Sequence, residues 1–178
     1  MKTLKELFGR AIVGLMILTG SAAPLSAAPS QTVSAPSFTA VTVEGSRLSS
    51  SSLSGKAYIV NFFASWCPPC RSEIPDMVSL QKQYEKQGFT FVGVAVNETE
   101  PTIRSFMKKN GITYPVIMVN QSLVSAYGRH VEGGLSAIPT SFVIDASGNL
   151  TGVIIGPRSY LSFDQIIKNA LAVKTRKQ

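Results

Sequence analysis

The sequence predicts an α/β fold: a central mixed sheet flanked by helices, preceded by a β-hairpin. Three observations carry this. Two near-continuous apolar runs, at residues 57–63 and 89–96, bracket an amphipathic stretch of helical length. That is the pattern of a right-handed βαβ unit whose parallel strands are covered on both faces. Later, residues 138–145 and 150–155 are apolar runs joined by Ser147-Gly148-Asn149, the pattern of an antiparallel hairpin. At 178 residues and 44% hydrophobic content, the chain can build one well-cored domain, with no room for two of ordinary size.

In order, Lys2, Lys5 and Arg10 precede the apolar run 11–18, and small residues and prolines follow to Pro29. These are the charged, apolar and small-residue regions of a secretory signal peptide, assigned to residues 1–28. The strongly apolar part is about ten residues, short of the roughly 20 that span a bilayer, and Pro24 breaks it. Cleavage is expected, with an uncleaved anchor as the alternative because no charge lies between Arg10 and Glu44. Residues 29–37, rich in Pro, Ser, Ala and Thr, read as a flexible linker. The domain is assigned to residues 38–174 and a basic tail to 175–178.

Within the domain, residues 38–43 alternate like a strand and Glu44-Gly45 is a turn signal. The serine run 49–54 reads as a loop. Residues 57–63 are a buried strand, and from Pro68 apolar residues recur at helical spacing up to Gln87-Gly88, with a kink expected at Pro75. After the strand at 89–96, residues 97–101 read as a loop and 102–110 as a short helix stopped by Gly111. Residues 114–119 read as an extended piece, 123–127 as a helical turn and 128–134 as a polar loop holding His130. Residues 163–173 form a closing helix. The net charge is +7; no basic stripe interleaved with aromatics appears, so the charge reads as a solvated surface and no nucleic-acid partner is expected.

Both cysteines, Cys67 and Cys70, lie in Ser65-Trp66-Cys67-Pro68-Pro69-Cys70-Arg71, where the strand ends and the helix begins. Free backbone N–H groups and the helix dipole there favour a thiolate at Cys67, and Cys70 is placed to resolve a mixed disulfide formed on it. Three other readings compete. A structural zinc site usually needs four ligands, and the chain offers only one histidine and no further cysteine. An inert disulfide closing so short a loop would constrain the unfolded chain little. A copper-binding dithiol aided by His130 or a methionine is the third.

The residues Asn61-Phe62-Phe63-Ala64-Ser65-Trp66-Cys67-Pro68-Pro69-Cys70, then Glu73 and Pro75, Val94-Ala95-Val96-Asn97, Ile138-Pro139-Thr140, and Phe142-Val143-Ile144-Asp145 with Gly148 give the chain a close resemblance to exported thioredoxin-fold proteins of the TlpA/ResA type. The resemblance covers about residues 35–173. It implies that Cys67 is the exposed attacking thiol, Cys70 the buried resolving one, and Pro139 a cis-proline facing the disulfide. The backbone before it, at Ile138, is then free to pair with substrate. Thioredoxins carry a buried acid where this chain has Asn61; ResA-type proteins instead place a glutamate three residues after the second cysteine, and Glu73 matches. Glu73 would exchange protons with the dithiol, its pKa raised by burial; the plainer reading is a first-turn glutamate favouring the helix dipole. Trp66 reads as a rim residue contacting substrate, with core packing as the alternative.

The expected activity is an exported, periplasmic thiol–disulfide oxidoreductase with no cofactor beyond the Cys67–Cys70 disulfide. The reductant direction is favoured, as in reduction of apocytochrome c cysteines during cytochrome c maturation, with a membrane electron donor of the DsbD/CcdA type. Such a donor is needed because an oxidising compartment drives cysteine pairs to the disulfide. Pro68 and Pro69 lack N–H groups that would steady the Cys67 thiolate, a slight lean toward a reducing couple. A disulfide oxidant or isomerase and the copper-binding module remain as alternatives, and a monomer is expected.

Overall fold

The computed structural model describes residues 32–173; the signal-peptide reading of residues 1–28 and the tail at 175–178 fall outside them. The strands are β1 (Val33–Ser34), β2 (Thr39–Val41), β3 (Arg47–Ser49), β4 (Ala57–Phe63), β5 (Phe89–Ala95), β6 (Val116–Met118), β7 (Thr140–Ile144) and β8 (Asn149–Ile155). The helices are α1 (Pro68–Tyr84), α2 (Glu100–Asn110), α3 (Gln121–Gly128) and α4 (Tyr160–Ala172). Six strands form one sheet in the order β1-β8-β7-β4-β5-β6. β4, β5 and β6 run parallel, and β7, β8 and β1 add antiparallel pairs, so the sheet is mixed as expected. The N-terminal hairpin β2–β3 stands apart and is tied to the β6 edge, where Val43 N–H donates to Val116 O at 2.8 Å.

Every residue of β4 is buried, and β5 differs only at Thr90. This is why both read as unbroken apolar runs: side chains alternate between two covered faces. On one face Ile59, Phe63, Phe91 and Ala95 pack against α1, α2 and α4. On the other, Val60, Phe62, Val92 and Val94 pack against α3 and against Leu48 and Leu53 of the N-terminal segment.

Gly93 interrupts β5 for a packing reason. A Cβ there would lie 3.0 Å from Phe63 Cε1 and 3.1 Å from Val116 Cγ2. Gly93→Ala is therefore expected to cost about 1–3 kcal/mol by overpacking, read as a lower urea midpoint at unchanged slope. An unchanged midpoint would mean that the Phe63 ring moves aside freely.

Several elements depart from the sequence reading. The stretch read as a linker contains β1, which pairs with β8 through Val33↔Leu150 and Ser34↔Asn149. Both residues are exposed, so backbone pairing holds the strand and no apolar pattern announces it. The serine run holds the last residue of β3, Ser49, and a single 3-10 turn, Ser51–Leu53. Helix α2 starts at Glu100, not 102, because Thr99 caps it and Pro101 sits in the first turn, where a missing N–H costs nothing. α3 likewise begins at Gln121, with Asn120 Oδ1 accepting from Leu123 N–H at 2.9 Å, and α4 begins at Tyr160 behind the Ser159 cap. Pro75 lies inside α1, which continues through it to Tyr84.

Candidate active site

β4 delivers the chain to the top of the sheet, where Ala64 O accepts from Cys67 N–H at 3.2 Å. Cys67 is the N-cap of α1, in extended conformation, with Pro68 and Pro69 opening the helix. Two of the amides that a helix start normally offers are thereby absent. The amide that does reach Cys67 is that of Cys70, which donates to Sγ at 3.3 Å. The two cysteines form a disulfide with Cα atoms 5.3 Å apart. Cys67 is only 3% exposed and Cys70 is fully buried. The exposed Cys67 implied by the family resemblance is therefore corrected: the 136–139 segment folds over it, placing Ile138 O 3.9 Å from Cys67 Sγ.

Ile138–Pro139 is a cis peptide, as the resemblance implied. Pro139 O accepts from Gly156 N–H at 2.8 Å, and Thr140 Oγ1 donates to Ala137 O at 2.8 Å. Trp66 stands at the rim, 57% exposed, with Nε1–H donating to Asn97 O at 3.4 Å. Asn97 adopts the left-handed conformation, φ 51°, which asparagine tolerates better than most residues. Between Trp66 and Ile138 opens a cavity of about 330 Å³, floored by Phe62, Val96 and Leu135. Ser65 N–H donates to Glu98 Oε1 at 2.6 Å, a second tie between the cysteine loop and the segment after β5.

Beneath the disulfide lies a buried polar row. Asn61 of β4 and Ser141 of β7 are directly opposed in the sheet, and Glu73 of α1 sits against them, 1% exposed. Asn61 Nδ2 donates to Glu73 Oε1 at 2.8 Å and to Ser141 Oγ at 2.9 Å. Arg158 N–H donates to Glu73 Oε2 at 3.2 Å. Burial pushes the Glu73 carboxyl up to about 7, against the lowering effects of the Asn61 and Arg158 hydrogen bonds and the Arg158 charge. The first-turn reading of Glu73 is corrected: α1 has no acidic residue in its first turn, and Glu73 lies in the second, buried. The sequence singles out Glu73 and Asn61 without joining them. Ser141 and Arg158 were missed, and only a polar residue within an apolar strand could have hinted at Ser141.

His130 lines a separate surface cleft with Arg129 and residues 34–37. Among the described residues no three His, Cys, Asp or Glu side chains gather to hold a metal.

Residues 30–167 match the Redoxin family. The chain belongs to the Redoxin family. Among curated Redoxin-like relatives, the thiol-disulfide oxidoreductase ResA of Bacillus subtilis (strain 168) is 33% identical over 123 residues, 68% of this chain and 65% of that one. The chain thus spans just under two thirds of that relative's length. ResA of Bacillus anthracis is 30% identical over 135 residues, 75% of each chain. Of solved structures, a thiol:disulfide interchange protein of the thioredoxin family from Chlorobium tepidum TLS is 60% identical, with TM-score 0.79, covering 81% of this chain and 99% of that one. A second from Chlorobium tepidum, described as a putative thiol:disulfide interchange protein DsbE, is 26% identical with TM-score 0.68, covering 80% and 98%. The Redoxin-family chain is accordingly a thioredoxin-fold thiol–disulfide oxidoreductase of the TlpA/ResA-like group, with Cys67–Cys70 as its disulfide.

Proposed function

We propose that this oxidoreductase works as an exported reductant of protein disulfides, with the cysteines of apocytochrome c as the expected substrate class. The observation that carries the direction is at the helix start: Pro68 and Pro69 leave Cys70 N–H as the amide donating to Cys67 Sγ. A sparsely supported thiolate raises the energy of the reduced form, and strong oxidants owe their potential to the opposite condition.

In the reaction, the Cys67 thiolate attacks one sulfur of the substrate disulfide and the other leaves as a thiolate. Cys70 then attacks Cys67 Sγ, the second substrate thiol departs, and the Cys67–Cys70 bond closes. Two electrons pass from enzyme to substrate, and a membrane donor of the DsbD/CcdA type restores them. Glu73 takes the proton that Cys70 must lose. Its burial and its placement one helical turn from Cys70 support that role. The substrate segment lies across Ile138 and Pro139 with Trp66 beside it, a reading supported by the rim exposure of Trp66 and the cavity next to it. The enzyme acts as a periplasmic monomer, released or held at the membrane by its N-terminal segment.

The test is the reduction potential of the Cys67–Cys70 couple in redox buffers. A value below about −220 mV, toward the roughly −270 mV of thioredoxin, is expected. A value above about −180 mV would move the protein to the oxidant or isomerase class.

A further inference from the structure

The β8–α4 connection touches both halves of the site. Gly156, at φ 85°, donates its N–H to Pro139 O at 2.8 Å. Two residues on, Arg158 donates its N–H to Glu73 Oε2 at 3.2 Å. The Arg158 side chain folds back over the same turn. Nη1 donates to Pro157 O at 2.9 Å and reaches Ile155 O and Gly156 O, each at 3.4 Å. One guanidinium nitrogen therefore gathers three successive carbonyls of the turn. Beyond the turn, Tyr160 N–H donates to Asp76 Oδ2 at 2.8 Å, fixing the far end of the connection to α1.

We infer that Arg158 is a positioning residue of the exchange reaction: its guanidinium holds the 155–157 carbonyls in the curl that aims Arg158 N–H at Glu73 and Gly156 N–H at Pro139. The inference rests on the proton-handling role given to Glu73 above. It adds that the proton affinity of Glu73, raised by burial, is held down in part from outside its own helix, by a side chain that does not touch the carboxylate directly. The groups facing Glu73 are few. Arg158 and Tyr114 are titratable, Tyr114 lying close enough for the Glu73 charge to raise its phenol further. Asn61 of β4 and Ser141 of β7 are uncharged, and Cys70 lies one turn away on α1. Arg158 is the one cation in this set, and both its charge and its amide favour the ionised carboxyl.

The experiment compares wild type, Arg158→Gln, Arg158→Lys and Glu73→Gln in the full chain. The Glu73 midpoint is followed by carboxyl ¹³C NMR in the oxidised protein, beside the pH profile of single-turnover disulfide reduction. Arg158→Gln is expected to raise the Glu73 midpoint by on the order of one pH unit, the scale of one charge-assisted hydrogen bond. Arg158→Lys, which keeps the charge and loses the planar guanidinium, is expected to raise it less. The ascending limb of the reduction profile should move up with the midpoint, a change that a purely structural role would not produce. A Glu73 midpoint unchanged in Arg158→Gln overturns the inference whatever the profile does. A midpoint that moves while wild type and Glu73→Gln share one profile upholds the clamp and refutes the role given to Glu73.

Discussion

Cys67→Ser is expected to abolish disulfide exchange, leaving only the uncatalysed rate, whereas Cys70→Ser should still attack substrate and then stall as a mixed disulfide. The difference follows from placement. Cys67 is the less buried cysteine, lies beside Ile138 O and receives the Cys70 amide. Cys70 is sealed in the core with Ile74 and Met77 and can reach only a sulfur already attached to Cys67. The check is turnover of a protein disulfide for each variant, with non-reducing electrophoresis or intact mass for the trapped adduct. Adducts formed by Cys67→Ser and absent from Cys70→Ser would reverse the two roles.

The second large effect concerns pH and stability in the oxidised protein, where neither cysteine titrates. Glu73 has a folded pKa of about 7 against an ordinary value of 4.5. Between these values the native state holds a proton that the unfolded chain has lost, so stability falls as pH rises. The stabilising proton is fully present below about pH 4.5, and the loss is complete above about pH 7. Its size is on the order of 3 kcal/mol, from 1.36 kcal/mol per pKa unit. Glu73→Gln should remove this slope and leave the variant more stable than wild type at pH 8. Urea unfolding at a series of pH values measures both. A wild-type stability that is flat or rising from pH 5 to 8 would show that the carboxyl is not desolvated as its burial implies.

Much of the sheet and half of the site are legible in the sequence, for a physical reason. β4 and β5 are buried on both faces, so every residue reports its environment, and β4 occupies 57–63 as read. The two cysteines stand at a strand–helix junction that local pattern locates. The polar row is different. Asn61 and Glu73 are 12 positions apart, Asn61 and Ser141 80, and Glu73 and Arg158 85, so no local period connects them and only the folded sheet brings them together. The low exposure of Cys67 is likewise a property of the distant 136–139 segment. The helix starts at Glu100, Gln121 and Tyr160 precede their sequence readings by two or three residues, because the caps Thr99, Asn120 and Ser159 are polar and come before the apolar period.

The short strand β1 gives the molecule a polarity. Val33 joins the sheet opposite Leu150, at the end of β8 beside the 145–149 turn. The disulfide sits at the other end, where β8 closes against Thr140 through Ile155. Five residue steps along the strand lead from Leu150 to Ile155, about 17 Å at 3.3–3.4 Å per residue. The chain therefore enters the domain at one pole and does its chemistry at the other.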